Sequence, residues 1–392
     1  MTSKTRLPTL IYQYVVVCID EIDRSKGQKV GAKKMNTNDF KLDVSNELYK
    51  FIGDTYNTCI NLRKVKNINI EQNGVLFSPR PQHHVMLIAP FGSFKSTLIK
   101  RLNEVTNGDV MTIDDVTKPS LLGTITNKGE YIQGMITKVG GKILAIDEWD
   151  SLRSEATECL LSPLENQRIN RQMGFTVKDD IIVKNEFTDI TVNGGRIDGR
   201  IQFTCIAMSM GFSMRKNVQY ALGSRFRMIR LKVSESDMKK IIKGIVKFDF
   251  VDKNQTVENI LVKQNAWSEY TDSVHNTLEE KLLYPPYDML GYVNRSIHDG
   301  LRDAIGGLII ESPQKEYIIN DSSELIKFND NVIKQIAMYT IDLPTSTKFK
   351  EMIKRYPDKD YKFYCTELNI SPKHYYRLRD EYESEKVMEE NK

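Results

Sequence analysis

Short, unbroken apolar runs punctuate the chain, and between them apolar positions recur every three or four residues, as expected when strands and helices follow one another. The run HVMLIA, from His84 to Ala89, predicts a buried strand; PFGSF predicts a turn with Gly92 at its middle. KSTLIKRL then opens a helix whose apolar side carries Leu98, Ile99 and Leu102. ILAIDEWD, Ile143 to Asp150, predicts a second apolar strand that ends on Asp147 and Glu148, and IQFTCIAMSM predicts a third. Upstream lie one apolar strand in LIYQYVVVCI, a helix around Leu48 to Ile60, and a hairpin in NINIEQNGVLF. Alternation at Ile181, Val183, Phe187, Ile190 and Val192, with a turn at NGG, predicts an added hairpin or two. Downstream, Val293, Ile297, Leu301, Ile305 and Leu308 form one apolar face of a helix. Near the end, KFYCTELN predicts a short helix, and Ser371 with Pro372 provide the N-cap and first position of another. That last helix is expected to bury Tyr375, Leu378 and Tyr382 and to expose Lys373, Tyr376 and Arg377.

Composition narrows the class only a little. A chain of 392 residues suggests about two to three domains. With 56 Lys and Arg against 52 Asp and Glu, nucleic-acid binding must be argued from local patches. The five cysteines, Cys18, Cys59, Cys159, Cys205 and Cys365, form no CxxC pair, which points to a reducing compartment and away from zinc or a disulfide framework. LIYQYVVVCI is too short to span a bilayer and no cleavage pattern follows it. The expectation is a soluble, cytoplasmic protein with no membrane partner.

The strand, turn and helix around Lys95 have the order of a phosphate-binding loop, G-x-x-x-x-G-K-[ST], with Ala89 and Phe94 where the two glycines belong. Such a loop converges backbone N–H groups on phosphate oxygens at a helix N-terminus. Ala89, Pro90, Phe91, Gly92, Ser93, Phe94, Lys95, Ser96 and Thr97 are therefore the candidate nucleotide-binding residues, with Lys95 reaching the phosphates and Ser96 on magnesium. Two Asp-Glu pairs could complete the site, Asp20 with Glu21 and Asp147 with Glu148. Chain order selects the second, because the acidic strand should follow the lysine by several tens of residues. Asp147 would hold Mg2+ and Glu148 would polarise the attacking water, while Asp20 and Glu21 read as a solvated strand end.

From Ser120 to Leu152 the sequence resembles the ATPase module of minichromosome-maintenance (MCM) helicases, members of the AAA+ superfamily. Gly123, Gly129, Glu130, Gly140 and Gly141 follow that family's layout between the two nucleotide motifs. Glu165, Asn166 and Gln167 match its E-Q-Q element. Arg171 falls near the basic tip of its DNA-contacting hairpin, so the resemblance makes Arg168 and Arg171 DNA-binding candidates; solvated loop charges are the other reading. Ser209 takes the position of the polar sensor, although the family's Asn-Pro is missing there. ALGSRFRMIRL makes Arg225 the arginine finger, supplied to a neighbouring subunit, and Arg295 matches the second sensor arginine; Arg302 reads as structural. Tyr287 and Met289 read as core.

The resemblance implies an α/β fold: an AAA+ P-loop NTPase core with a parallel sheet, flanking helices and β-hairpin inserts, then a helical lid and a C-terminal winged-helix or helix-turn-helix unit. The expected domains are residues 1–81, a small N-terminal domain; 82–233, the nucleotide-binding core; 234–313, the lid; and 314–392, the C-terminal unit. ATP and Mg2+ are the implied cofactors, and a homo-oligomeric ring with DNA in its channel is the implied assembly. Lys373 and Arg377 would meet duplex DNA if the last helices form a helix-turn-helix; a short helical bundle with a charged surface fits them equally. Function then reads as an ATP-dependent DNA helicase or translocase of a mobile genetic element, acting in replication. The alternative is an ATP-loaded DNA-binding switch that unwinds nothing.

Overall fold

The computed structural model describes residues 46–90, 95–113, 117–210, 225–230, 250–281, 290–341 and 345–390. Asp20, Glu21, Tyr287 and Met289 lie outside them, as do Phe91, Gly92, Ser93 and Phe94. The described chain divides into two compact units, one of residues 44–270 and 298–328, the other of 271–297 and 329–392.

The first unit is built on a parallel sheet. Its described strands are β3 (Val85–Ile88), β4 (Val110–Ile113), β7 (Ile143–Ile146), β12 (Thr204–Ser209) and β13 (Arg227–Arg230), in the order β13-β3-β12-β7-β4 with all pairs parallel. Every residue of β3, β7 and β12 is buried, which is why these strands read as unbroken apolar runs and show no alternation. Chain order and sheet order differ: β3 and β4 are consecutive in this sheet along the chain, yet β12 and β7 stand between them. The carboxyl ends of β3, β12 and β7 therefore lie side by side, where a doubly wound sheet binds its ligand. The helix Lys95–Val105 follows β3 and buries Leu98, Ile99 and Leu102. The helix Asn46–Leu62 contacts β3 and β12, and its Tyr56 hydroxyl donates to the sulfur of Met208 at 3.8 Å.

One further sheet changes the expected organisation. Strands β1 (Ile68–Gln72) and β2 (Val75–Phe77) form the expected hairpin, but β1 also pairs in parallel with β14 (Asn259–Val262), which pairs in parallel with β15 (Glu316–Ile319). Residues 46–81 thus share a compact unit with the nucleotide core, and no unit boundary falls after residue 81 or residue 313. The segment expected to be an all-helical lid contributes β14 to this sheet. The reason is non-local: Arg63, in the turn just after the helix Asn46–Leu62, pairs with Asp252 at 2.7 Å and with Asp109 at 3.1 Å, tying the segment before β14 to the core.

The predicted extra hairpins form one antiparallel sheet. Strands β8 (Arg168–Gln172), β9 (Ile181–Asn185), β10 (Thr188–Asn193) and β11 (Arg196–Ile201) lie in the order β8-β11-β10-β9. Its inner face presents Ile169, Ile190, Val192, Ile197 and Ile201 to the same core that packs Leu144, Ile146 and Phe203. The Gly140–Gly141 pair is where this sheet meets the start of β7. A Cβ on Gly140 would fall 2.0 Å from Thr188 Oγ1, and Gly141 has φ +73° beneath the Phe187 ring. A remaining pair, β5 (Gly123–Ile125) and β6 (Tyr131–Gln133), forms a small antiparallel ribbon.

In the second unit, the helices Thr345–Arg355, Tyr361–Glu367 and Pro372–Glu390 close on Phe349, Met352, Tyr364, Tyr375 and Leu378. Ser371 Oγ accepts from His374 N at 3.3 Å, the expected cap. No strand accompanies these helices among the described residues, so they form a three-helix unit and the winged form is not seen. No described helix is long and apolar enough to cross a membrane.

Candidate functional site

The three adjacent strand ends bring the sequence candidates together. β3 ends at Ile88, and the Ala89 N–H extends its ladder by donating to Ser209 O at 2.9 Å. Ala89 is buried and Pro90 exposed. Lys95 opens the following helix, and its Nζ donates to Ala89 O at 2.8 Å, so the side chain reaches back to the end of β3. Burial draws the Lys95 ammonium below the usual lysine range, against the pull of Asp147, Asp150 and Glu148. Three carboxylates thus act on this one cation. Ser96 Oγ donates to Asp147 Oδ2 at 2.8 Å across the gap between the helix and β7. Thr97, next in the helix, is exposed.

After β7 the chain turns sharply through a 3-10 turn, Trp149–Ser151, with Ser151 N and Oγ both donating to Glu148 O. Buried Trp149 anchors that turn edge-on against Phe226, with ring centroids 5.3 Å apart. Glu148 is left exposed at the sheet end and Asp147 half-buried. The same turn sends Asp150 toward β12. Ser209 Oγ donates to its carboxylate, with the two oxygens at 3.0 and 2.9 Å, and Met210 N donates to Oδ2 at 2.6 Å. Ser209, expected as the sensor, is therefore at the site but engaged by Asp150. Asp150 is the residue that sequence reasoning passed over. Its signal was available as the third carboxylate of IDEWD, one tight turn after Asp147.

Arg225 stands beyond this cluster at the end of the helix Ser154–Asn166. Its Nε donates to Leu161 O at 3.0 Å and its guanidinium pairs with Glu165. The last carbonyls of that helix are further satisfied by Arg80 and His84, both on Leu164 O. His84 Nδ1 accepts from Cys205 N at 3.0 Å, so the proton on Nε2 faces Leu164. Burial, with Arg80 nearby, holds the ring well below the usual histidine range and hence neutral. Arg302 is structural, with Nη1 on Asp299 at 2.6 Å and Nη2 on Arg80 O at 3.0 Å. Arg295 lies on the part of the helix Leu290–Glu311 that belongs to the other compact unit.

One DNA candidate is displaced. Arg171 does not sit at a hairpin tip: it is within β8, opposite Ile197 of β11, half-buried with Nη1 on Cys159 Sγ at 3.1 Å. β8 pairs along its length with β11 inside a four-stranded sheet, and Gly194 and Gly195 close the separate β10–β11 turn. Arg168 is exposed, 3.8 Å from Asp198. In the C-terminal unit Lys373 and Arg377 are exposed one turn apart, and Arg377 is engaged by His374 at 3.0 Å and Glu381 at 3.7 Å.

The donor set fits a magnesium nucleotide. A hydroxyl and a carboxylate already face each other at hydrogen-bond distance, the hard oxygen ligands that Mg2+ prefers, and a lysine and a helix N-terminus stand beside them. Residues 84–226 match the family described as AAA domain (dynein-related subfamily). The match begins at His84, immediately before β3, and ends just past Arg225, so it includes all three strand ends. It supports an AAA+ ATPase module with nucleotide binding. A search of curated proteins found no match to the chain.

Proposed function

We propose that the chain is an ATP-dependent DNA helicase or translocase of the MCM-like AAA+ type, carried by a mobile genetic element, acting in DNA replication from the cytoplasm as a homo-oligomeric ring. The observation that carries its ATPase chemistry is the Ser96–Asp147 contact at the end of β7, with Glu148 exposed beside it. ATP with Mg2+, when bound, supplies the phosphoanhydride whose cleavage drives the cycle. Lys95 would hold phosphate oxygens, Ser96 and Asp147 would hold the metal, and Glu148 would orient water for attack. Ser209 would keep its sensor position through Asp150. Arg225, now held by Leu161 O and Glu165, would be presented to a neighbouring subunit, where its planar charged fork stabilises developing phosphoryl charge. Arg295 would serve as the second sensor.

The ATP-loaded switch keeps a specific observation in its favour. Arg171, the residue assigned to a moving hairpin tip, is instead fixed within a strand against Cys159. The two readings separate in one experiment. ATP hydrolysis is measured with and without single-stranded DNA for wild type and Glu148→Gln, alongside displacement of a labelled strand. The helicase reading expects DNA-stimulated turnover that falls about 100-fold or more in Glu148→Gln, together with strand displacement by wild type. Turnover with no displacement would leave the switch.

A further inference from the structure

The register of the antiparallel insert sheet sets out its solvent face residue by residue. The first row across β8, β11, β10 and β9 is Arg168, Arg200, Asp189 and Lys184. The second is Asn170, Asp198, Thr191 and Ile182, and the third begins Gln172, Arg196, Asn193. Apart from half-buried Asp198, these side chains are exposed.

Arg168 and Arg200 are direct cross-strand partners, an arrangement that costs stability when like charges face each other without compensation. The acidic residues of the face are accounted for locally: Asp198 lies 3.8 Å from Arg168 and Asp189 4.0 Å from Lys184. Arg196 and Arg200 bond only to neutral groups. Arg196 Nε donates to Asn170 Oδ1 at 3.1 Å, and Arg200 reaches Lys66 O and Gln167 Oε1 at 3.5 Å each. Two guanidiniums that form no ion pair within 4 Å among the described residues, although Asp189 stands across the strand from Arg200, thus stand four residues apart on β11, about 13 Å along the strand. Asn170, Gln172 and Asn193 between and beside them offer both donors and acceptors.

An apolar element completes the face. Phe175 is 56 % exposed, and its carbonyl lies beside Gly195, next to Arg196. Ile182 in the second row is 67 % exposed. At the Arg200 end a cavity of about 730 Å³ opens, lined among others by Arg168, Lys184, Arg200 and Gln202 together with Asp189 and Glu186. That volume is of the size that holds a small ligand. A surface that combines unpaired guanidiniums, amides and an exposed ring holds single strands by phosphate contact and base stacking.

We propose that the outer face of the β8-β11-β10-β9 sheet, and not a hairpin tip, is a single-stranded DNA track: Arg196 and Arg200 take backbone phosphates, and Phe175 stacks on a base. The inference rests on the DNA reading above and relocates its contact.

The test is the affinity of full-length protein for a fluorescein-labelled oligo-dT, read by anisotropy across a salt series with a non-hydrolysable ATP analogue present. The variant Arg196→Gln/Arg200→Gln is expected to bind at least ten-fold more weakly. Its log Kd against log salt should be less steep by about 1.4, from about 0.7 per lost phosphate contact on a single strand. Arg196→Lys/Arg200→Lys keeps both charges and is expected to keep the wild-type salt slope, and equal thermal midpoints establish that all three proteins are folded. If wild type binds and the Gln variant matches it in affinity and slope, the track is overturned while the DNA reading stands. If wild type itself binds no oligo-dT at any salt, the DNA reading fails and the track with it.

Discussion

Asp150 joins the two strand ends that matter most. It accepts from the hydroxyl of Ser209 and the backbone N–H of Met210 on one side, and sits one tight turn from Asp147 and Glu148 on the other. Its charge-assisted bonds hold the carboxyl end of β12 against that of β7. Replacing Asp150 with Ala removes the acceptor that Ser209 Oγ and Met210 N share and loosens the Ser209 hydroxyl. The expected cost is about 1–3 kcal/mol of stability. The turnover number for ATP should fall by roughly ten-fold with KM little changed, since a displaced positioning group weakens the transition state more than ground-state binding. Steady-state kinetics check this, and an unchanged kcat would remove Asp150 from the positioning role.

The helix Leu290–Glu311 contributes a histidine with a clear pH signature. His298 stacks on Trp267 at 5.3 Å, faces Phe77 at 5.7 Å, and its Nδ1 is buried without a hydrogen-bond partner. Burial, reinforced by Arg302, pushes its pKa down from 6.5 to about 4. Between those values the unfolded chain binds a proton that the folded one refuses. Stability is therefore fully present above pH 6.5 and is lost as pH falls toward 4. From pH 7 to pH 5 this one group contributes a loss of about 2 kcal/mol. His298→Phe keeps the stacked ring and removes the titration, so the unfolding free energies from urea titrations at the two pH values should move closer together by that amount. A variant with the wild-type pH dependence would assign the slope to other groups.

The division of labour between subunits is open to a mixing experiment. Lys95 lies at the mouth of the site, whereas Arg225 is held at the end of a separate helix by Leu161 and Glu165. If the finger acts in trans, Lys95→Ala and Arg225→Ala proteins are each inactive alone, yet their mixture contains interfaces with one intact lysine and one intact arginine. Random equal mixing should restore roughly a quarter of wild-type ATP hydrolysis, because the two halves of each head-to-tail interface are drawn independently. No recovery on mixing would place Arg225 in its own subunit's site or outside the chemistry.

The placement of Lys95, Ser96, Asp147 and Glu148 at the sheet end was legible in the sequence because it is local. A buried parallel strand must be a continuous apolar run, and the residue that follows it must stand at the sheet end. The cap of Ser371 and the buried Tyr375 and Leu378 were legible for the same reason, since helix periodicity and capping act within a few residues. Only the tertiary structure decided that β1 pairs with β14 and β14 with β15, that Arg171 turns inward to Cys159, and that Arg196 and Arg200 form no ion pair among the described residues. Each of these depends on which distant segment supplies the neighbour. In β1 that neighbour comes from Ile260, across a separation that propensity and periodicity do not reach.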